Sequence, residues 1–265
     1  MSVLRATNVT KIYGGGRGAS SVRALDSFTV TLDAGEFAAI MGPSGSGKTT
    51  LLQILGTIDS PTSGEVEIDG QALSELKGDA LALFRRRRLG FIFQDFNLLD
   101  SLTLKENIAL PLALEQRPVE EIERKVGELA EQMGIGAVLE HYPNAVSGGE
   151  KQRAAAARAL VHEPALVLAD EPTGNLDSRA ARALMEALAA LNASRGTTIL
   201  MVTHDPVWAS YCRRVLFIRD GRPMTEVRRG EERTRFFHHI LDVLETLGGE
   251  PREGYKPNEI AYARR

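Results

Sequence analysis

The sequence predicts an α/β protein: a core of parallel strands, a small antiparallel β subdomain beside it, and an α-helical subdomain inserted into it. Three observations predict this. The stretch from Phe37 to Leu55 reads as buried strand, glycine loop and helix. Two more continuous apolar runs, Ala165 to Ala169 and Thr198 to Val202, are separated by a helical pattern, as central parallel strands would be. Between Asp95 and about Tyr142 no strand pattern occurs, so a helical segment interrupts the core.

Taken in order, Val3 to Tyr13 reads as a first strand, and Gly14 to Ser21 as a flexible glycine-rich loop. Val22 to Leu32 alternates through Phe28, Val30 and Leu32 and forms a second strand. Asp33-Ala34-Gly35 turns the chain into the strand Phe37 to Met41. Val66 and Ile68 alternate before the Asp69-Gly70 turn, which predicts a short edge hairpin. These early strands form the antiparallel sheet. A helix from about Gly78 to Arg87 leads into the buried strand Leu89 to Phe93, which Gln94 ends.

Thr103-Leu104-Lys105-Glu106 has the spacing of a capping box. Pro118 opens a helix with Ile122, Val126, Leu129 and Met133 on one face and Gly134 as its stop. A long helix runs from Lys151 to about His162 and ends before Pro164. Another, with Ala183, Leu184, Leu188 and Leu191 on one face, stops at Gly196. Val215 to Ile218 closes the core at the Asp220-Gly221 turn. From Glu231, Phe236, Phe237, Ile240, Leu241, Leu244 and Leu247 recur at helical spacing, and polar residues dominate after Gly248. We therefore expect one domain over residues 1–230, its helical subdomain at about 95–160, and a C-terminal amphipathic helix and tail over 231–265.

Composition narrows the function classes. With 32 Lys and Arg against 35 Asp and Glu, the net charge of −3 gives no electrostatic case for nucleic acid. Arg85-Arg86-Arg87-Arg88 reads as a solvated helix end, where cations suit the negative dipole end. The apolar runs are strand-sized, too short to span a bilayer, and Met1 to Thr7 lacks the layout of a signal peptide, so a cytosolic location is expected. The single cysteine, Cys212, excludes an internal disulfide and reads as a small core residue.

The chemistry begins at Gly42-Pro43-Ser44-Gly45-Ser46-Gly47-Lys48-Thr49-Thr50, which has the G-x-x-x-x-G-K-[ST] spacing of a phosphate-binding P-loop. Its glycines let backbone N–H groups approach phosphate oxygens, and the helix that follows adds its positive dipole end. Lys48 would reach the β- and γ-phosphates, and the Thr49 hydroxyl would ligate Mg²⁺. Asp170, after an apolar strand, fits a carboxylate that holds Mg²⁺ through water, and Glu171 beside it a general base. His204 ends the next strand, where it would contact the γ-phosphate and hold the attacking water in line with Glu171. Gln94, at another strand end, would complete the Mg²⁺ shell. Ser147 and Glu150 form a second capping-box spacing, and with Gly148 and Gly149 that helix start is equally a phosphate site.

These motifs, in this order, resemble the ATPase subunit of an ABC transporter. Gly42 to Thr49 resembles Walker A, Gln94 the Q-loop, Ser147-Gly148-Gly149-Glu150-Lys151-Gln152-Arg153 the signature, Asp170-Glu171 Walker B, Asn175-Leu176-Asp177 the D-loop and His204 the switch histidine. Tyr13 corresponds to the aromatic that stacks on adenine. The resemblance implies a P-loop, RecA-like core, with ATP and Mg²⁺ as cofactors. It also implies a head-to-tail homodimer in which Ser147, Gly148 and Gly149 meet the partner's ATP. Glu150 stands where the family commonly has glutamine, and it should turn to its own helix backbone or the ribose.

Phe91 to Thr103 and Asp170 to Asp177 resemble the branch serving macrolide efflux, lipoprotein release and antimicrobial-peptide detoxification. Thr203 to Pro206, Ala209 to Cys212 and the segment from Phe236 to Gly249 are most similar to the bacitracin-export type, whereas Asn175 looks more like the macrolide or lipoprotein members. The implied partners are an integral-membrane permease, with the chain peripheral on the inner face of the membrane, and a sensor histidine kinase. ATPases of lipoprotein-release, macrolide-efflux or cell-division permeases, and soluble ABC proteins, are the alternative readings.

Overall fold

The computed structural model describes residues 1–14 and 21–247. The greater part of the loop expected over Gly14 to Ser21, and the polar tail expected after Gly248, lie outside them. The first two strands begin the antiparallel subdomain. Strands β1 (Ser2–Tyr13) and β2 (Val22–Asp33) pair along their lengths. Their alternation buries Leu4, Ala6 and Val9 against Leu25, Phe28, Val30 and Leu32. Strand β3 (Phe37–Met41) is buried at every position and delivers the chain to the glycine loop and helix α1 (Lys48–Leu55). The hairpin β4 (Ser63–Ile68) and β5 (Gln71–Ala72) then joins β1, in the order β2-β1-β4-β5.

The arginines of helix α2 (Asp79–Arg88) pair with groups elsewhere in the chain. Arg85 donates to Thr57 O at 2.8 Å, Arg86 and Arg87 clamp Glu115 at 2.5 and 2.7 Å, and Arg88 pairs with Asp69. Arg86, Arg87 and Arg88 remain exposed at the helix end, as expected, and these pairs tie that end to the fold. Strand β6 (Leu89–Ile92) follows, and the next strand begins only at residue 166. Between them lie α3 (Leu104–Leu114), α4 (Val119–Gln132) and α5 (Gly148–Leu160). Both capping boxes form: Thr103 with Glu106, and Ser147 with Glu150. Helix α5 starts three residues earlier than its periodicity suggests, because the Ser147 cap sets its beginning. It also stops two residues earlier, as the chain turns through Glu163 at φ 55° before Pro164.

Strand β7 (Leu166–Asp170), α6 (Ser178–Arg195), β8 (Ile199–Val202), α7 (Pro206–Ala209), β9 (Arg214–Arg219), β10 (Arg222–Arg228) and α8 (Arg233–Thr246) complete the chain. The six-stranded sheet runs β10-β9-β3-β8-β7-β6, parallel except for β10. Strand β10 was not legible as one, since only Val227 of its residues is buried.

The sheet divides two cores. Phe37, Ala39 and Met41 of β3 face the helical side, with α5, α6 and the Phe236 and Ile240 side chains of α8. Ala38 and Ile40 face α1 and the antiparallel sheet. A strand buried on both faces has no polar alternation, which is why β3, β7 and β8 read as continuous apolar runs. Cys212 is fully buried, and burial pushes its thiol well up from the usual value. No helix among the described residues is long and apolar enough to cross a membrane.

Candidate functional site

The parallel strands place their following residues side by side: Gly42 after β3, Thr203 and His204 after β8, Asp170 and Glu171 at the end of β7, and Gln94 just beyond β6. Carboxyl ends of adjacent parallel strands are where α/β sheets carry their ligand sites. The register is tied by backbone bonds as well, with Thr203 N donating to Ile40 O and Glu171 N to Val202 O.

The glycine loop is shaped by what surrounds it. A Cβ on Gly42 would stand 2.1 Å from Ile218 O, and one on Gly47, at φ 101°, would stand 2.3 Å from Ala24 O. Neither position accepts a side chain, so the loop is pressed between the two sheets. Pro43, Ser44 and Gly45 are exposed on its outer turn. Ser46 is 2 % exposed, and its Oγ has no partner within the protein. Gly47 gives α1 no side-chain cap, so the first backbone N–H groups of that helix, from Lys48, Thr49 and Thr50, have no capping acceptor. Unpaired donors, an orphan hydroxyl and a cradle closed to any Cβ fit a phosphate chain.

Lys48 Nζ donates to Gly42 O and Pro43 O, both at 2.8 Å, so its ammonium lies over the loop. Burial draws its pKa below the ordinary lysine value, and the nearby charges of Glu171 and Asp170 oppose that fall. Asp170 is shifted the other way: burial raises its carboxyl, the charge of Glu171 raises it further, and Lys48 pulls it down. Two adjacent acids facing one partly buried ammonium leave room for a second cation. Among the described residues, no group of three or more His, Cys, Asp or Glu side chains could hold a metal alone. A Mg²⁺ here would therefore need phosphate oxygens to join Thr49, Gln94 and Asp170, which is how Mg²⁺ is usually held.

Glu171 has φ 45°, a conformation uncommon outside glycine, asparagine and aspartate. It is mostly buried, and its Oε1 lies 2.9 Å from Nδ1 of the half-exposed His204. Such a pair can orient a water and accept its proton.

The signature segment lies elsewhere. Ser147, Gly148 and Gly149 open α5 and line a groove of about 790 Å³ with Asn175, Asp177 and Arg179; no residue of the glycine loop lines it. Glu150 Oε2 accepts from Ser147 N at 2.8 Å and from Ser147 Oγ at 2.7 Å, so the acid faces its own helix start. Gly149 is required by packing, since a Cβ there would stand 2.8 Å from Ala180 Cβ of α6. Tyr13 is placed by the antiparallel sheet. It ends β1, with its hydroxyl on Asp59 Oδ2 at 2.8 Å and the Lys11 ammonium 4.9 Å from its ring centre.

Two residues of α5 support the site through contacts the sequence does not show, one of them, Gln152, within the signature segment. Gln152, fully buried, donates to Phe93 O at 2.9 Å and Pro172 O at 2.7 Å, linking the residues beside Gln94 and Glu171. Arg158 donates to Asn97 O and Phe96 O at 2.6 and 3.1 Å and holds the left-handed turn at those positions. A lone arginine breaking the alanine run of α5 is the signal that could have revealed Arg158.

Comparison with known proteins agrees with this geometry. The family model described as ABC transporter matches residues 25–174. The chain is 54 % identical over 259 residues to an uncharacterized ABC transporter ATP-binding protein, YvcR, of Bacillus subtilis, covering 97 % of this chain and all of that one. It is 48 % identical to the bacitracin export ATP-binding protein BceA of Halalkalibacterium halodurans, over 94 % of this chain and 98 % of that one. With the macrolide export protein MacB of Hyphomonas neptunium it shares 44 % identity over 84 % of this chain and 34 % of that one. Among solved structures, a dimeric post-hydrolysis state of the ATP-binding cassette MJ0796 bound to ADP and Pi matches with a TM-score of 0.78. It is 40 % identical over 86 % of this chain and 99 % of that one.

Proposed function

The chain belongs to the ABC transporter family as an ATP-hydrolysing subunit, and from that premise we propose that it powers a separate membrane permease protecting cells against bacitracin-like peptides. What supports the peptide-resistance branch is the extent of the match. The bacitracin export relative covers 94 % of this chain, so the correspondence takes in the region of α8, whereas the macrolide export relative matches 84 % of it.

In this reading Lys48 binds the β- and γ-phosphates, with the free backbone N–H groups of the glycine loop and of the start of α1 around them. Mg²⁺, when bound, neutralises phosphate charge beside Thr49, Asp170 and Gln94. Glu171 takes the proton of the attacking water while that water's oxygen bonds to the γ-phosphorus and ADP leaves. His204 holds Glu171 in place. Tyr13 stacks on adenine. The groove at Ser147, Gly148 and Gly149 receives the γ-phosphate of a second subunit, so two chains joined head to tail close over two ATPs. The difference in stability between the ATP-bound and product-bound pairs drives the permease between its states. The chain is held at the inner face of the cell membrane through that permease, and a sensor histidine kinase is a further partner of the complex.

The single observation that carries the enzymatic part is the Glu171–His204 contact at neighbouring strand ends. The test of the branch is to isolate the tagged chain from native membranes in mild detergent and identify its partners. Recovery of a permease with a large extracellular domain, together with bacitracin sensitivity on deletion, is expected. A small division-type permease or a lipoprotein-release pair would overturn the reading.

A further inference from the structure

Asn175 ties together two loops that lie far apart in the chain. Its Nδ2 donates to Gln94 O at 3.2 Å and to Asp95 Oδ1 at 2.9 Å, and its Oδ1 accepts from Gln94 Nε2 at 3.2 Å. The orientation of this amide follows from its partners. A backbone carbonyl and a carboxylate can only accept, so the NH₂ group must face them, and Oδ1 is left for Gln94. Gln94 must then turn its own NH₂ group towards Asn175. The Gln94 side chain also lies across Gly174, where a Cβ would stand 3.0 Å from Gln94 Cδ. Glycine at 174 and asparagine at 175 together fix both the position of the Gln94 side chain and the sense of its amide.

An amide presents an oxygen on one side and two hydrogens on the other. A divalent cation can use only the oxygen. With Nε2 committed to Asn175, Oε1 is the atom that Gln94 has left to offer. With alanine at 175 both senses of the amide become available.

We propose that Asn175 is a positioning residue: it sets the Gln94 amide so that Oε1 is offered to the nucleotide-bound divalent cation, and it links the Gln94 loop to the loop after β7. The inference rests on the reading of Gln94 as a cation-side residue. Asn175 itself touches neither nucleotide nor water in this role.

Two measurements on the full chain test it. In nucleotide-free protein labelled with ¹⁵N in its glutamine side chains, the Gln94 amide is assigned by its loss in Gln94→Glu. Its resonances should move towards those of a freely rotating glutamine amide in Asn175→Ala. Separately, Mn²⁺ titrations followed by electron paramagnetic resonance use the Glu171→Gln protein loaded with ATP. Adding Asn175→Ala should weaken Mn²⁺ binding about fivefold, the loss of one modest hydrogen bond. The affinity of the monomer for ATP in EDTA, where no partner nucleotide enters the groove that Asn175 lines, should be unchanged, and Tm should stay within about 2 °C of the parent. An unmoved Gln94 amide in Asn175→Ala overturns the proposal, as does a parallel loss of Tm and EDTA-measured ATP affinity, which would mark a purely structural residue. Gln94→Ala with parental Mn²⁺ affinity overturns instead the assignment of Gln94, and with it the cation-directed half of the proposal.

Discussion

His204 Nδ1 lies 2.9 Å from Glu171 Oε1, and the backbone brings them together: Glu171 turns through φ 45° while its N–H is held by Val202 O. One side-chain bond thus joins the ends of β7 and β8. Strained backbone of this kind costs about 1–3 kcal/mol and persists where surrounding structure enforces it, often at functional sites.

Glu171→Gln should keep ATP binding, slow turnover by about 10²–10⁴-fold and accumulate an ATP-bound dimer. Steady-state ATPase assays and size-exclusion chromatography with ATP check this. Turnover at the parental rate would remove Glu171 from the role of general base.

Asp170→Asn should abolish Mg²⁺-dependent ATPase yet stabilise the nucleotide-free protein. Burial, then the charge of Glu171, raises the folded-state pKa of Asp170. A raised carboxyl costs stability as pH climbs from the unfolded value through the folded one, and the cost persists above both. At neutral pH the variant should therefore melt about 2 °C higher, with the gain shrinking as pH falls towards the ordinary carboxylate range. Differential scanning calorimetry across pH reads it, and a lower Tm at pH 7 would contradict it.

Gln152→Ala should destabilise the fold by about 2 kcal/mol, because the carbonyls of Phe93 and Pro172 lose buried donors. Gln152→Glu should cost more, since a carboxylate would face two acceptors. Urea unfolding midpoints at neutral pH should rank parent above alanine above glutamate.

Glu150→Gln should change ATPase less than about threefold, because the acid faces Ser147 rather than a ligand, and glutamine preserves the capping box. Hydrogen bonds from the Ser147 side chain and then its backbone lower the Glu150 pKa. The stability it lends is present above the unfolded carboxylate value and is lost as pH falls through the depressed folded value. The variant should thus be less stable than the parent at neutral pH, by about 0.5 kcal/mol, and equal to it in acid. Equal stability at both pH values would contradict the contribution of the Glu150 charge.

Much of the fold was legible because buried parallel strands carry a continuous apolar run and the glycine loop has a fixed spacing. Strand β10 was not, since its pairing with β9 rests on backbone bonds while most of its side chains face solvent. Helix α7 is a single turn set by the Asp205 cap, too short to show a period. The site residues at strand ends could be found because each follows an apolar run. The contacts of Gln152 and Arg158 and the partnership of Asn175 with Gln94 could not, because they join positions about 60 to 80 residues apart. The partners of the arginine run were hidden in the same way: Glu115 and Asp69 come to it only through the fold.

The sheet order has a consequence for biosynthesis. Strand β3 pairs with β8 and β9, and its first partner emerges from the ribosome about 160 residues after it. At 5–20 residues per second, an entirely apolar strand waits roughly 8–30 s without neighbours. The nucleotide loop is therefore translated early and assembled late, and a nascent chain halted before β8 is an aggregation hazard that chaperones must shield.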